Sequence, residues 1–409
     1  MTAAPTSFLE RLREDAGQRF SELGYPTTHN EDWRFTSVAP IARATFVPGQ
    51  PATGPGSVES RGGHHLLFFN GHYVPEFSLP PEGIEIGGLA QALREQPELV
   101  EPHLARYAGY QDQAFVALNT SSFKDGALVH IPRGVVFEEP IQLVFVSLSN
   151  GRPTVSHPRN LILAGPDSHA TIVETYMGGG RQPYFTNAVT ELVAGDHTVI
   201  DHYKLQTESP SAYHVATLQV QVGRDANFRS HSVSFGGALV RNDVNAVLSE
   251  GCECTLNGLY LVSGEQHIDN HTSIDHAKPH AASHELYKGI LDGRSSAVFS
   301  GKILVRKDAQ KTDAKQTNKN LVLSEEAVIN TKPELQIHAD DVRCTHGATI
   351  GQLDPEGIFY LQSRGIGLAE ARNLLIYAFA RDIVDRVKVA PLREELERTV
   401  LEKLHANRH

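Results

Sequence analysis

Between residues 115 and about 361 the chain runs in short stretches of Val, Ile, Leu, Thr and Phe broken by Gly, Asp and Asn, with hardly a helical spacing among them. Runs of this kind, bounded by turn formers, predict strands. The turns recur. Aligning G-P-D-S-H-A-T-I, G-D-H-T-V, G-R-D-A-N-F, E-G-C-E-C-T-L, G-R-S-S-A-V-F and E-E-A-V-I places Ala170, His197, Ala226, Cys254, Ala297 and Ala327 in register, at intervals of 27, 29, 28, 43 and 30 residues. A near-constant interval with one insertion fits an all-β solenoid, in which each coil buries its inward face against its neighbours. A long antiparallel meander or a double sheet gives similar spacing, so the intervals alone leave the architecture open.

The flanks follow the helical period. Residues 7–24 predict an amphipathic helix carrying Phe8, Leu9, Leu12, Phe20 and Leu23, with Gly24 placed to end it. The next segment, N-E-D-W-R-F-T, holds the only tryptophan, Trp33, expected to anchor this region by packing. Residues 47–63 are rich in Pro, Gly and Ser and read as a flexible connection. Residues 66–69 and 73–77 flank Asn70-Gly71 and predict a hairpin, and residues 88–108 predict two helical pieces interrupted by Pro97 and Pro102. From residue 368 Leu374, Leu375, Ala378, Phe379, Ile383, Val384 and Val387 draw an apolar stripe. Pro391 opens a second helix with Leu392, Leu396, Val400 and Leu404. On packing grounds the expected role of these helices is to cover the open end of the solenoid. The division expected is 1–112, mostly helical with a small hairpin; 113–362, the β core; and 363–409, helical.

Composition narrows the partners. A net charge of −11 with no dense basic block argues against nucleic acid or an anionic membrane. Six basic side chains lie between residues 302 and 319, but Asp308 and Asp313 interrupt them and no aromatic offers a stacking platform, so a solvated face is expected. No apolar run reaches signal-peptide or membrane-span length, and the expected location is cytoplasmic. Three cysteines are too few for a disulfide framework.

Candidate chemistry concentrates at 340–366, D-D-V-R-C-T-H-G-A-T-I-G-Q-L-D-P-E-G-I-F-Y-L-Q-S-R-G-I. Cys344 and His346 lie two apart, so on a strand both leave the same face, the minimum geometry for two ligands of one metal. A buried Cys beside a hydrogen-bonded His has the same spacing. Cys254 falls at a position held by Ala in four of six units and reads as packing, whereas Cys252 and Cys254 together could also hold a soft metal. His267, His271, His276, His280 and His284 occupy the 43-residue interval and read as an exposed polar insertion, since Pro279 argues against a continuous helix. There is no G-x-x-x-x-G-K-[ST], G-x-S-x-G or H-E-x-x-H. A cluster takes about four ligands, mainly thiolates, which this chain cannot easily supply alone. Two enzymatic readings compete with these features. A carbohydrate-active solenoid would need paired acids, but Asp340 and Asp341 are adjacent and so on opposite strand faces. A metal-dependent oxygenase would need two of the histidines and a carboxylate to converge.

The wording of several stretches goes further than their spacing. C-T-H-G-A-T-I-G-Q-L-D followed by I-F-Y-L-Q-S-R-G-I resembles the end of the core domain of the SufB/SufD family, the scaffold of the SUF iron-sulfur cluster assembly system. So do E-L-Y-K-G-I-L, K-T-D-A-K-Q-T-N-K-N-L-V-L, T-K-P-E-L-Q-I-H-A-D-D-V, I-P-R-G-V-V-F-E-E-P-I-Q-L and, near the N-terminus, N-E-D-W-R-F-T. H-G-A-T stands where SufB characteristically reads H-E-A-T, which places the resemblance on the SufD side. The resemblance implies a right-handed parallel β-helix core and a non-catalytic scaffold role. It implies pairing with a SufB-like subunit through the β-helix, or a homodimer when alone. A transient iron-sulfur cluster would form at that interface, with His346 and Cys344 as this chain's ligands and no cofactor on the isolated chain. E-A-R-N-L-L-I-Y-A-F-A-R-D-I-V resembles the family's docking element for the SufC ATPase, which implies contact through Leu374, Leu375, Ala378, Phe379 and Ile383.

Overall fold

The computed structural model describes residues 7–51, 63–149, 151–180 and 182–406. Most of the 47–63 connection therefore lies outside the described residues. Successive strands alternate between two sheets that face each other across a shared core, giving a β-solenoid of about eight turns with helices at both ends of the chain. One sheet ends with Leu239–Leu248, His267–His276, Ser296–Val305 and Val328–Ile337; the other with Glu253–Val262, Ala282–Leu291, Asp313–Val322 and Arg343–Gly351. Neighbours from successive coils pair in parallel. Among the described residues the antiparallel strand pairs lie at the start, where Glu85–Gly88 joins Ala127–Ile131 and the hairpin His65–Phe69 and His72–Tyr73 closes the opposite sheet. Asn70 and Gly71, both at positive φ, make the predicted tight turn.

Each coil turns the same corner. Asp167, His197, Asp225, Gly251, His280 and Lys311 all sit at φ between 52° and 69°, one per coil. Each donates its backbone N–H to a carbonyl of the following coil, from Asp167 to Asp196 at 2.9 Å through to Lys311 to Asp341 at 2.7 Å. The left-handed backbone therefore recurs with the coil, and short polar residues and Gly tolerate it best.

Register corrects the sequence alignment at several positions: Ile200 rather than His197, and Phe228 rather than Ala226, stand in the column of Ala170 and Cys254, and Ile329 rather than Ala327 pairs with Ala297. Ala170, Ile200, Phe228, Cys254, Ser283, Ala314 and Cys344 stack in a single inward column. Ala297 belongs to the opposite sheet, paired with Ile268 and Ile329. The 43-residue interval thus spans one coil and a half, and no insertion exists there. Strands can be aligned by composition across two sheets because both alternate in the same way. The histidines follow from this: His267, His271 and His276 lie on the strand His267–His276, His280 on the corner and His284 on Ala282–Leu291. The insertion expected for them is replaced by two strands of the solenoid and the corner between them, where His276 is fully buried while His280 and His284 are exposed.

The helix Phe8–Leu23 carries a complete capping box between Ser7 and Glu10 and ends at Gly24, at φ 64°. Trp33 packs on Phe115, with the Arg241 guanidinium 4.3 Å from its ring centre, as an anchor should. Thr36 and Asp32 extend that anchor: the Thr36 hydroxyl donates to Asp269 at 2.5 Å, and Arg241 donates to the Asp32 carbonyl at 2.7 Å and pairs with Asp269 at 2.6 Å. At the other terminus, helices Leu368–Val384 and Ala390–Ala406 lie along the outer flank of a sheet, where Ile376, Ala380, Ile383, Val384, Leu392 and Leu396 bury Tyr203, Leu205, Val233, Leu259 and Ile290. They do not cover the solenoid end. The outward residues of those strands are apolar and so need a cover on the flank.

Candidate metal centre at the open end

The strand Arg343–Gly351 is the last of its sheet, and Val328–Ile337 the last of the other. Among the described residues neither has a strand on its free edge. Both are poorly covered, with Val328 at 52 % and Ile350 at 55 % exposure. Open strand edges of this length recruit other strands unless they are blocked.

Cys344 and His346 share the inward face of this last strand, in register with Ala314 and Gln316. The structure therefore brings the two predicted ligands onto one face. Cys344 is half-buried against the end of the core. Burial pushes its thiol up, with Asp313 acting the same way and a backbone hydrogen bond at Ala314 opposing. It is thus a protonated thiol at neutral pH, which must lose its proton to bind a metal. His346 is exposed. Among the described residues no three His, Cys, Asp or Glu side chains converge on one point.

The other candidates fall elsewhere. Cys252 and Cys254 are both buried. Burial pushes the Cys252 thiol up to about 12 and that of Cys254 well above its ordinary range, so both behave as packing groups. His267 meets Ser296 and, through Thr36, is linked to Asp269, which pairs with His271, while His276 meets Ser283 elsewhere; among the described residues no three His, Cys, Asp or Glu side chains converge here. Asp341 is paired with Lys311. On the helix Leu368–Val384, Leu374 and Ala378 face out, Leu375 and Phe379 are half-buried, and Ile383 is wholly buried against the flank. Lys288 clamps this helix to the sheet: its ammonium pairs with Asp382 at 2.8 Å, donates to the Phe379 carbonyl at 3.0 Å and lies 4.5 Å from the Phe379 ring centre. Phe359, Tyr360 and Leu368, on and after the preceding helix Pro355–Ser363, add exposed apolar surface beside it.

Sequence reasoning did not find the polar lumen. Glu174 accepts from Tyr176 at 2.7 Å and Thr190 at 2.9 Å and meets His202 at 3.3 Å. Lys204 donates to Asn242 at 2.7 Å. Burial brings the Lys204 ammonium down to about 8, with Glu174 and Glu208 opposing. Nearer the open end, Glu285 accepts from Gln316 at 2.7 Å. Burial lifts Glu285 to about 7, against hydrogen bonds from Thr272 and Gln316. The legible signal was the coil interval itself, since Glu285, Gln316 and His346 follow one another by one coil each.

The fold is a parallel β-solenoid with an open last coil that carries Cys344 and His346, and sequence comparison names its family. Residues 145–379 match the family described as SUF system FeS cluster assembly, SufBD core domain, and residues 57–143 match the SufBD protein N-terminal region. The chain belongs to the SufBD family. It is 35 % identical to an iron-sulfur cluster assembly SufBD family protein of Synechocystis, over 96 % of this chain and 91 % of the relative. It is 29 % identical to the iron-sulfur cluster assembly protein SufD of Escherichia coli, over 93 % and 89 %, and 27 % identical to SufD of Bacillus subtilis, over 80 % and 75 %.

Proposed function

We propose that this chain is the SufD-type scaffold subunit of a cytoplasmic SUF complex and performs no catalysis of its own. It pairs with a SufB-like subunit across the open end of the solenoid and lends His346, with Cys344 in support, to a nascent cluster or iron carried at that interface. The observation that supports this most is the exposed last coil, which among the described residues presents two unpaired strand edges and a two-ligand face with no third metal-ligating side chain beside it. The cluster is cargo: a neutral imidazole and a thiolate are both competent iron ligands, and the partner supplies the rest. Burial of Cys344 keeps its thiol protonated until metal displaces the proton, which also limits oxidation before assembly.

His346→Ala tests the site. The variant is expected to fold and to associate with its partners normally, while cluster formation on the complex, followed by its visible absorption, falls at least tenfold. Normal assembly in that variant would make the pair structural. The proposal also has a SufC-like ATPase dock on the outward side of the helix Leu368–Val384, where Leu374 and Ala378 are exposed beside Leu375 and Phe379. Ile383, buried in the flank, supports that helix from beneath. Leu374→Glu leaves the buried contacts intact and should abolish co-purification of the ATPase; retention of the partner would move docking elsewhere.

A further inference from the structure

One inward column of the sheet that ends in Arg343–Gly351 reads Leu256, Glu285, Gln316, His346 from coil to coil. Strands in a sheet lie about 4.8 Å apart, so stacked polar side chains in such a column can reach one another. The reach is realised one coil below the end, where the Gln316 Nε2 donates to the Glu285 Oε2 at 2.7 Å. That bond fixes which end of the amide does what. The NH2 group is turned toward the carboxylate, and the carbonyl Oε1 is the group left over. This oxygen is fully buried and has no partner among the described residues. The amide is also held from across the lumen, because a Cβ at Gly301 would come within 2.1 Å of the Gln316 Nε2. An orphaned acceptor, clamped between Glu285 and the Gly301 backbone, thus has His346 as the next residue in its column.

We infer that Gln316 is a positioning residue for His346: its Oε1, without a partner in this structure, accepts a hydrogen bond from one imidazole N–H when the exposed ring turns onto it, and leaves the other ring nitrogen bare to meet the metal. The inference rests on the reading of His346 as an interface ligand. Imidazole ligands are commonly fixed in this way, because the acceptor selects the tautomer and the ring orientation. Glu285 acts one step further back, holding the amide so that it offers an acceptor to the ring. Satisfying Oε1 also removes the cost of an unpaired buried carbonyl.

The test reads the tautomer directly. The full chain is labelled with 15N in histidine, and the ring-nitrogen shifts of His346, assigned by comparison with His346→Ala, are recorded at pH 8. One tautomer is expected in the natural sequence and a mixture in Gln316→Met, which keeps the volume and removes the acceptor. Cluster formation on the complex should fall at least threefold in the same variant. Gly301→Ala, which displaces the amide while keeping Gln316, gives the same mixture and serves if Gln316→Met does not fold. A mixture already present in the natural sequence, or a single tautomer that survives both substitutions, overturns the inference. These shifts are read without partner or cluster and so are independent of the interface reading. Unimpaired cluster formation in His346→Ala would sink that reading and, with it, the functional half of this one.

Discussion

The first coils and the last coil of this solenoid are built from the same strand grammar and treated in opposite ways. Over the first coils the outer face of one sheet is covered by the N-terminal helices, and the covering is locked by a buried charge pair. Arg159 and Glu191 are both fully buried and lie 2.7 Å apart; Glu191 also accepts from the backbone N–H groups of Ala105, Tyr107 and Ala108 at 2.8 to 2.9 Å. Antiparallel strands close the start. The last coil has exposed edges, with Val328, Ile337 and Ile350 in the open and an ion pair, Lys311 with Asp341, on its surface. A fold that covers its first coils over a buried, hydrogen-bonded ion pair has the means to cover its last coil. The bare end is therefore better read as an interface than as a packing failure.

The largest expected effect separates the two ends by stability. Arg159→Ala leaves Glu191 as a buried charge without its cation and should cost about 3–5 kcal/mol in urea unfolding. Lys311→Ala, at the exposed pair, should cost less than about 0.5 kcal/mol. Equal losses would erase the contrast. Next comes a pH dependence confined to the lumen near the open end. The Glu285 carboxyl is lifted to about 7 from an ordinary 4.5. As pH rises between those values the unfolded chain releases this proton while the folded chain keeps it, so stability falls with rising pH across that window and stays lower above it. Glu285→Gln removes this slope. It should be roughly 2–3 kcal/mol more stable than the natural sequence at pH 8 and little different at pH 4, measured by unfolding at both. The smallest effect on the chain itself is at the edge. Ile350→Lys is expected to leave the melting temperature unchanged while weakening association with the SufB-like partner about tenfold or more, read by analytical ultracentrifugation. Unchanged association would move the interface away from this edge.

The repeat, the helix Phe8–Leu23 and the Asn70-Gly71 turn were legible because each depends on neighbours within a few residues: a cap, a turn residue, an alternation of faces; Trp33 was legible from its residue type, whereas its partners Phe115 and Arg241 are remote in sequence. The Cys344 and His346 pair was legible for the same reason, since two positions apart on a strand means one face. The apparent insertion before Ala297 shows where local reading stops. Two sheets with identical alternation cannot be told apart until the register pairs Cys254 with Phe228 and Ala297 with Ile268.

What the sequence determined by itself is the list of strands, the coil interval, and the two residues that could meet a metal, all of them consequences of side-chain period and turn chemistry. Tertiary structure alone decided which strands stack, and from that came the rest. It put Glu285, Gln316 and His346 in one column although about thirty residues separate each from the next. It laid the C-terminal helices on the flank, because the apolar outer residues of several coils add up there to a surface that no single strand reveals. It left the last coil open, since whether an edge is covered depends on where the remaining chain packs, a property of the whole fold that local periodicity does not carry.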